Sequence, residues 1–288
     1  MALKVRELTP WFGAEVSGLI RVETLDEGTC RELQQLMKDR ELLVFRDFDI
    51  DRYFQNYLCE LLCVDGQPDT DVVASNAERQ SGFYISNTRE GAAAPFGELM
   101  FHSDATYSTG PYEILSLWGE EVVPPVVPTR FASVTRAWDS LPDALRARVE
   151  GRFAEQTNQV QNRGGEGDRL LKAIREERTI TTPVGYVNPR SGRTMLYVCS
   201  MVTKGIVGMD HDDSEDLLGE LFAHTEQPEN VWTHEWRNND LVVWDNLAVQ
   251  HARPDVEEGG PVRTLRKAAS PAVPAGLVPQ QSYGTMVD

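Results

Sequence analysis

The sequence predicts a mainly β fold with flanking helices, within a single domain. Its strongest apolar runs, at 194–199 and 241–244, are short and rich in β-branched or aromatic residues, as buried strands are. No glycine-rich phosphate-binding loop follows a strand, which disfavours an alternating parallel α/β sheet. A chain of 288 residues without repeats or a clear linker fits one large domain. We therefore expect one domain over residues 1–288.

The first half of the chain is predicted to contain strands and helices in turn. Apolar periodicity predicts a strand, a helix, a buried strand and a second helix, at 14–20, 27–39, 41–45 and 51–64. Apolar and aromatic residues from 101 to 118, broken at Gly110-Pro111, predict two strands joined by a turn. This unit contains His102 and Asp104.

The second half is predicted to continue with strands, a short helix and one long loop. The proline-rich stretch 122–128 leads into a strand that starts at Thr129, and a short helix is expected at 137–148. Residues 158–177 are polar and glycine-rich, which is typical of a mobile loop or a lid. A last strand at 263–269 is expected to close the sheet.

The composition excludes several classes of protein. A formal net charge of −17 argues against nucleic acid or an anionic membrane as a partner, because both require a basic surface. No apolar run reaches the length of a membrane span and the first residues lack a hydrophobic signal core, so we expect a soluble, cytoplasmic protein. Reduced thiols are expected at the cysteines, which lack the paired spacing of a zinc site: Cys30, Cys59, Cys63 and Cys199.

Two histidines and one aspartate form the most informative pattern in the chain. His102 and Asp104 stand two residues apart, and His251 follows a buried apolar run 149 residues after His102 (251 − 102). Two imidazoles and a carboxylate hold ferrous iron on one face and leave the other face open to oxygen and a co-substrate. Residues i and i+2 share a face if their segment is an extended strand. The pattern indicates an oxygenase, although His251 taken alone could be a core histidine.

Two other histidines have the same spacing to an acidic residue but a different context. His211 stands at the start of a predicted helix, where Asp213 or Ser214 is the expected N-cap. His224, at the far end of that helix, can interact with the negative end of the helix dipole. We interpret both histidines as structural.

Further motifs extend over most of the chain: Phe101-His-Ser-Asp104, Asn188-Pro-Arg-Ser-Gly192, Trp236-Arg-Asn-Asn-Asp-Leu241 and Trp244-Asp-Asn246. Followed by His251 and Arg263, these motifs resemble the taurine dioxygenase / 2,4-dichlorophenoxyacetate dioxygenase (TauD/TfdA) family of non-heme iron(II)- and 2-oxoglutarate-dependent oxygenases. The resemblance runs from about Leu8 to Ala269. It implies a double-stranded β-helix, the jelly-roll, cupin-like core of that family.

The resemblance also implies the roles of individual residues. The iron ligands that it implies are His102, Asp104 and His251. It implies that Arg263 pairs with the distal carboxylate of 2-oxoglutarate and that Thr129 hydrogen-bonds the same group. A buried dicarboxylate needs a fixed fork of donors at its far end, which arginine supplies better than lysine. Arg266 is the alternative if the register differs.

The chain departs from the family pattern near the substrate. Val126-Val-Pro128 precedes Thr129, where members often carry Gly-Gly-Asp. Lys267 stands where better-known members have a second arginine that contacts the substrate's acidic group, so the cation is kept but a bidentate contact is not. Tyr84 and Asn87 lie where the family places substrate-facing loop residues. Alternatively, Tyr84 packs in the core and Asn87 shapes a turn.

The implied activity is that of a dioxygenase that uses Fe(II), 2-oxoglutarate and O2. Such an enzyme oxidises, and in the simplest case hydroxylates, an unactivated C–H bond of a small anionic substrate, releasing succinate and CO2. Because Asp104 supplies a carboxylate to the iron, halogenation is disfavoured. The same chemistry could instead give desaturation or oxidative decarboxylation, including isonitrile formation, in natural-product biosynthesis.

Two alternatives come from other classes of protein. The first is a non-enzymatic metal-binding β-barrel, and the second is a zinc hydrolase, since two histidines and a carboxylate also suit zinc. Neither alternative explains Arg263. For partners, we expect a small-molecule substrate and, from the family, a homo-oligomer.

Overall fold

The structure of the chain, a computed structural model, describes residues 3–161 and 177–272. The helices of these ranges are α1 (Glu27–Arg40), α2 (Arg52–Cys63), α3 (Thr70–Arg79), α4 (Val134–Asp139), α5 (Asp143–Val149) and α6 (His211–Thr225). The strands are β1 (Lys4–Glu7), β2 (Ala14–Ser17), β3 (Leu42–Phe45), β4 (Tyr84–Ser86), β5 (Gly97–His102), β6 (Ile114–Val122), β7 (Thr129–Ser133), β8 (Phe153–Thr157), β9 (Thr179–Pro183), β10 (Gly185–Val187), β11 (Thr194–Leu196), β12 (Thr203–Ile206), β13 (Val231–His234), β14 (Leu241–Asp245), β15 (Val249–Val256) and β16 (Arg263–Ser270).

Two mainly antiparallel sheets form the centre of the fold. The larger has the strand order β1-β2-β3-β14-β6-β16-β4, and the smaller has the order β13-β7-β15-β5. Buried side chains of both sheets pack in one cluster, with Phe131 and Val249 from the smaller sheet against Leu115, Val242 and Leu265 from the larger. Two sheets that share an apolar interior are the architecture of a jelly roll. The predicted mainly β fold with a double-stranded β-helix core is confirmed.

Strand β14 shows how the larger sheet is buried on both faces. Val242 and Trp244 face the smaller sheet, whereas Leu241 and Val243 pack with residues of α1 and α2 on the outside. This alternation follows from the two-residue period of a strand. A strand that is buried on both faces contains a continuous apolar run, which is why 241–244 is so prominent in the sequence.

A further layer lies beyond the smaller sheet. Residues of α4, α5, α6, β8 and β12 form a separate apolar cluster that includes Ala137, Leu217 and Leu221. Gln250 of β15 donates Nε2 to the carbonyl oxygen of Val198 at 2.7 Å, which ties this layer to the smaller sheet. This layer covers the face of the smaller sheet that is turned away from the larger sheet.

Most predicted elements are present with similar bounds. The helices predicted at 27–39 and 51–64 are α1 and α2, and the side chains of Asp26 and Asp51 cap their first turns. The strand predicted at 263–269 is β16. The strand predicted from 194 ends at Leu196.

Two predictions were wrong in detail. The helix predicted at 137–148 is two helices, α4 and α5, because Pro142 lies between them as the N-cap of α5 and cannot continue a helix. Helix α6 is capped by Asp210, whose side chain accepts from the Asp213 N–H, and not by Asp213 or Ser214. The loop predicted at 158–177 lies mostly outside the described residues, and the single-domain prediction for 1–288 stays a prediction.

Candidate active site

Pairing of β5 with β15 brings two histidines together. His102 is the last residue of β5 and lies directly opposite His251, and their ring centroids are 4.2 Å apart. Nδ1 of His102 is 2.7 Å from the carbonyl oxygen of Met100. A carbonyl oxygen only accepts, so Nδ1 carries the proton in this contact and Nε2 of a neutral ring keeps its lone pair. That nitrogen is available as a metal ligand.

Asp104 completes the group from a turn. Its Oδ1 lies 3.3 Å from Nε2 of His102. Possible ligand atoms of His102, Asp104 and His251 all lie within 4.8 Å of one another, and they are the one such group in the described ranges. Nε2 of His102 and Oδ1 of Asp104 both carry lone pairs, which repel each other at this distance. A cation between the two atoms, either a proton or a metal ion, therefore stabilises the arrangement. The donor set suits a divalent transition metal.

The backbone at Asp104 differs from the prediction. Strand β5 ends at His102, residues 103–113 form turns and irregular structure, and β6 begins at Ile114. Ala105, directly after Asp104, has φ at +59°, in the left-handed region. The expectation of an extended segment from 101 through Asp104 is therefore wrong, and the two ligands do not meet through strand periodicity.

The Asn246 side chain supplies the hydrogen bonds that a strand partner would otherwise give. Its Oδ1 accepts from the Asp104 N–H at 2.9 Å, and its Nδ2 donates to the carbonyl oxygens of Asp104 at 3.0 Å and Tyr112 at 2.8 Å. Asn246 is completely buried. One amide thus fixes both backbone polar groups of the candidate ligand.

The charges at the group favour metal-binding protonation states. Burial raises the pKa of Asp104, but the Lys267 ammonium and the contact with His102 outweigh it and hold the pKa well below its usual value. Burial, then the neighbouring His102 ring, lowers the pKa of His251 well below its usual value. An ionised carboxylate and a neutral imidazole are the forms that bind a metal.

Arg263 and Thr129 lie together in the interior. Arg263 donates Nη2 to Oγ of Thr129 at 3.0 Å and Nε to the carbonyl oxygen of Val127 at 3.0 Å. The arginine is 3% exposed, and no carboxylate of the described residues forms an ion pair with it. Burial, then the charge of Arg253, lowers its pKa to about 9. A buried guanidinium without a counterion is costly, so this position fits a carboxylate of a bound molecule.

Arg266 is not brought to the same place. Its Nε donates to Oε1 of Gln55 at 2.7 Å and its Nη2 to the carbonyl oxygen of Ile50 at 2.8 Å, on the helix side of the larger sheet. Positions 263 and 266 differ by an odd number of residues on one strand and therefore face opposite sides. The structure supports Arg263 rather than Arg266 for a carboxylate in the interior.

The three predicted substrate-side residues occupy different environments. Lys267 donates a hydrogen bond to Oδ2 of Asp104, and its Nζ lies 4.8 Å from the centre of the Phe83 ring. Tyr84 pairs with Arg266 on the helix side, where Arg52 donates to its hydroxyl, so the structure does not bring Tyr84 to the metal group. Asn87 accepts from the Arg263 N–H at 2.9 Å.

The two other histidines with the His-x-Asp/Glu spacing lie outside the metal group. His211 is exposed at the first position of α6. His224 is buried, and its Nε2 is 2.9 Å from the carbonyl oxygen of Ala137. Both positions agree with the structural interpretation of these residues.

Comparison with known families is decisive for the chain as a whole. A family model described as "Taurine catabolism dioxygenase TauD, TfdA family" matches residues 4–269. The chain belongs to this family. It is an oxidoreductase of the 2-oxoglutarate-dependent dioxygenase type, whose members use Fe(II), 2-oxoglutarate and O2 and act on small molecules. The resemblance proposed from the sequence motifs is confirmed.

Individual TauD/TfdA relatives cover nearly the whole chain. The α-ketoglutarate-dependent 2,4-dichlorophenoxyacetate dioxygenase of Cupriavidus pinatubonensis is 28% identical over 94% of this chain and 98% of its own length. Pentalenolactone F synthase of Streptomyces avermitilis is 28% identical over 84% and 85%. The structure of AAD-2 in complex with Mn(II) and N-oxalylglycine superposes with a TM-score of 0.71 at 25% identity, covering 93% of this chain and 97% of that one.

A solved taurine dioxygenase from Burkholderia xenovorans has a TM-score of 0.72 at 21% identity, covering 93% and 90% of the two chains. At this identity the similarity supports the fold alone. Among the described residues, no helix has the length and apolar character needed to cross a membrane.

Sequence reasoning missed how the family motifs contact one another. Asp245 accepts from Nδ2 of Asn188 at 3.0 Å and from the Leu247 N–H at 2.9 Å, so the 188–192 and 244–246 motifs meet. Trp236 donates Nε1 to Oγ of Thr129 at 2.9 Å. Asn188, Trp236 and Asp245 each belong to one of the family motifs, but a motif does not specify its spatial partner.

Proposed function

We propose that His102, Asp104 and His251 bind Fe(II), that Arg263 and Thr129 bind the distal carboxylate of 2-oxoglutarate, and that the enzyme hydroxylates a C–H bond of a small organic anion. The observation that supports this most is the buried Arg263 guanidinium, which lacks a carboxylate partner among the described residues. A site that only bound a metal, or a zinc hydrolase, would have no use for it.

The metal group fits iron by the chemistry of its donors. Two imidazoles and one carboxylate, with a side of the ion left open, are the ligands of non-heme iron oxygenases. Asn246 fixes the Asp104 backbone, and the Met100 carbonyl fixes the His102 ring through Nδ1. Such outer hydrogen bonds orient the ligands and set the tautomer of the histidine.

Arg263 and Thr129 fit the far carboxylate of a dicarboxylic acid. Thr129 and His251 both belong to the smaller sheet, in the neighbouring strands β7 and β15, and the Arg263 guanidinium contacts the Thr129 hydroxyl. When bound, iron with 2-oxoglutarate supplies the oxidation of a substrate C–H bond by O2, with release of succinate and CO2. The chain's own part is to orient the two reactants and to exclude water.

Lys267 supports an anionic substrate, because a metal ion at Asp104 would take up part of the negative charge that balances the Lys267 ammonium. Lys267 is 7% exposed, and its Nζ lies 4.8 and 5.7 Å from the ring centres of Phe83 and Tyr112. An ammonium group beside aromatic rings suits an organic anion with an apolar body. Two relatives are named for 2,4-dichlorophenoxyacetate and (S)-phenoxypropionate, which are carboxylic acids. We therefore assign the substrate to small organic acids.

The first experiment tests the co-substrate site. Apo-protein is mixed anaerobically with Fe(II) and 2-oxoglutarate, and the weak visible charge-transfer band of the chelate is titrated. Wild type should develop the band, and Arg263→Met should require about 100-fold more 2-oxoglutarate, because a charge-assisted contact is worth about 3 kcal/mol. Arg266→Met is the matched control on the same strand and should titrate like wild type. No band at any concentration would contradict the proposal.

The second experiment identifies the reaction. Carboxylic, sulfonic and sulfate-ester acids are screened for substrate-dependent succinate formation under air, and each product is analysed by mass spectrometry. Hydroxylation adds one oxygen atom, desaturation removes two hydrogen atoms, and oxidative decarboxylation removes CO2 together with two hydrogen atoms. A product of either other type would keep the cofactor assignment and replace hydroxylation.

A further inference from the structure

Trp236, the first residue of the 236–241 motif, makes a contact at the proposed co-substrate site to which the family resemblance assigned no role. Its Nε1 donates to Oγ of Thr129 at 2.9 Å, and Arg263 donates Nη2 to the same oxygen at 3.0 Å. Trp236 is 2% exposed and Thr129 is equally buried. Two donors thus converge on one buried hydroxyl oxygen.

The proton of the Thr129 hydroxyl follows from this arrangement. A hydroxyl group has two acceptor lone pairs and one O–H donor. Both lone pairs of Thr129 are used, by the indole and by the guanidinium, so the O–H is left to donate. No acceptor for it is present among the described residues. A hydroxyl group fixed in this way can act toward any further group only as a hydrogen-bond donor.

The same count applies to Arg263. Of the five N–H donors of a guanidinium, two are used, by Val127 and Thr129. The remaining donors and the Thr129 O–H together match the oxygen atoms of one carboxylate. Without the indole, Thr129 would have a free lone pair and its O–H could rotate. The threonine would then present either a lone pair or a proton to an incoming carboxylate.

The fold holds Trp236 firmly in this position. His234 lies directly opposite Thr129 in the pairing of β13 with β7, and its ring packs edge-on against the Trp236 ring at 4.4 Å. The turn after Trp236 closes against β6, where a Cβ on Gly119 would lie only 2.4 Å from the carbonyl oxygen of Arg237. The lack of a side chain at Gly119 therefore permits the close approach of this turn.

We infer that Trp236 is a positioning residue that fixes the Thr129 hydroxyl as a hydrogen-bond donor to the distal carboxylate of the 2-oxo acid, and so sets the preference for a dicarboxylate. The inference rests on the proposed function. It concerns a residue that does not itself contact the co-substrate carboxylate. Its effect should therefore appear only with ligands that carry that carboxylate.

The test compares two ligands that differ only at the far end. The Mn(II)-loaded protein is titrated by calorimetry with 2-oxoglutarate and with 2-oxovalerate, which has the same chain length without the distal carboxylate. Trp236→Phe removes the N–H and keeps an aromatic ring. It should weaken 2-oxoglutarate about three- to tenfold, the value of one neutral hydrogen bond, and leave 2-oxovalerate unchanged. Trp232→Phe is the matched control, since Trp232 contacts Phe131 and His234 by its ring.

A double-mutant cycle separates positioning from packing. In a Thr129→Val background the hydroxyl is gone, so Trp236→Phe should then cause no further loss of preference for the dicarboxylate. Trp236→His keeps a ring N–H in a smaller side chain and should retain more preference than Trp236→Phe, whereas a packing role predicts the reverse order.

The outcomes distinguish the two proposals. Equal weakening of both ligands by Trp236→Phe, or a loss that persists in Thr129→Val, would overturn the positioning role while the co-substrate site stands. If wild type itself does not prefer 2-oxoglutarate to 2-oxovalerate, the proposed function fails and the positioning role fails with it.

Discussion

Lys267 donates a hydrogen bond from its buried ammonium group to Oδ2 of Asp104, so a cation of the larger sheet neutralises the carboxylate of the candidate metal group. Oδ1 of the same carboxylate faces His102. The two oxygens of Asp104 are therefore directed to different partners. A metal ion at Oδ1 would share the carboxylate with Lys267, which makes this lysine a competitor for the negative charge.

The first prediction concerns Lys267→Met. Removing the ammonium leaves a mostly buried carboxylate, 18% exposed, without its counterion, which should lower the free energy of unfolding of the apo-protein by about 3 kcal/mol. Mn(II) should then stabilise the variant more than it stabilises wild type, because the metal supplies the missing positive charge. Chemical denaturation with and without Mn(II) measures both effects.

Lys204→Met is the control for this prediction. Lys204 forms a solvent-exposed ion pair with Glu177, so its loss should change the free energy of unfolding little and leave the Mn(II) effect unchanged. Equal stabilisation of Lys267→Met and wild type by Mn(II) would show that Lys267 and the metal do not share Asp104.

A second prediction compares the effects of replacing Arg263 and Arg266, both in β16, on the free energy of unfolding. Arg266 donates to Gln55 and to the carbonyl oxygen of Ile50, and it lies over the Trp118 ring at 4.1 Å. Arg266→Met should lower the free energy of unfolding by about 2 kcal/mol, since buried acceptors lose their donors. Arg263→Met should be neutral or stabilising in the apo-protein, because it removes a buried charge without a counterion. Urea denaturation of both apo-variants decides this, and the opposite order would contradict the assignment of faces.

A third prediction concerns Asn246→Ala. The substitution removes three hydrogen bonds, two of which hold the backbone of Asp104. Affinity for Mn(II) should fall about 10- to 100-fold, as is found when outer-shell partners of metal ligands are lost. Asn230→Ala is the matched control, since buried Asn230 donates to the carbonyl oxygen of His224, remote from the ligands. Similar loss of Mn(II) affinity in both variants would indicate a general destabilisation.

A fourth prediction concerns pH and Glu41. Burial raises the pKa of Glu41 to about 7, although Ser133 donates to it and Arg193 forms an ion pair with it at 3.0 Å. Unfolded glutamate has a pKa near 4.3, so between about pH 4.3 and 7 the native state binds more protons than the unfolded state. The contribution of Glu41 to stability is therefore lost as pH rises through this window, by about 3 kcal/mol.

Glu41→Gln should remove this part of the pH dependence. Relative to wild type, the variant should gain about 3 kcal/mol in free energy of unfolding between pH 4.5 and pH 8, measured by urea denaturation at both values. Parallel pH profiles of the two proteins would show that Glu41 titrates near its ordinary value in the folded chain.

Much of the fold and many residues of the candidate active site could be predicted from the sequence. Short β-rich apolar runs without a phosphate-binding loop predicted a mainly β core, and α1 and α2 were predicted by periodicity and capping residues. The metal ligands were identified as candidates because their residue types and order are those of an iron site. Arg263 was singled out by the family resemblance, with which the need of a dicarboxylate for a fixed cation at its far end agrees.

Other features depended on spatial partners that sequence patterns do not specify. Asp104 lies in a turn held by Asn246, not on a strand, because one side-chain amide replaces the strand's hydrogen bonds. Tyr84 and Arg266 face the helices, since β16 alternates its side chains between two sides. The alternation was predictable, but which side meets the metal group was not.

The sequence by itself thus determined the family, the kind of fold and the candidate donor residues, because these depend on residue types and their order. Only the tertiary structure decided that Lys267 pairs with Asp104 and that Trp236 and Arg263 share the Thr129 hydroxyl. The physical reason is that hydrogen bonds and ion pairs act over a few ångströms in space. They join residues far apart in the chain, and they form only where the packing of the two sheets brings those residues together.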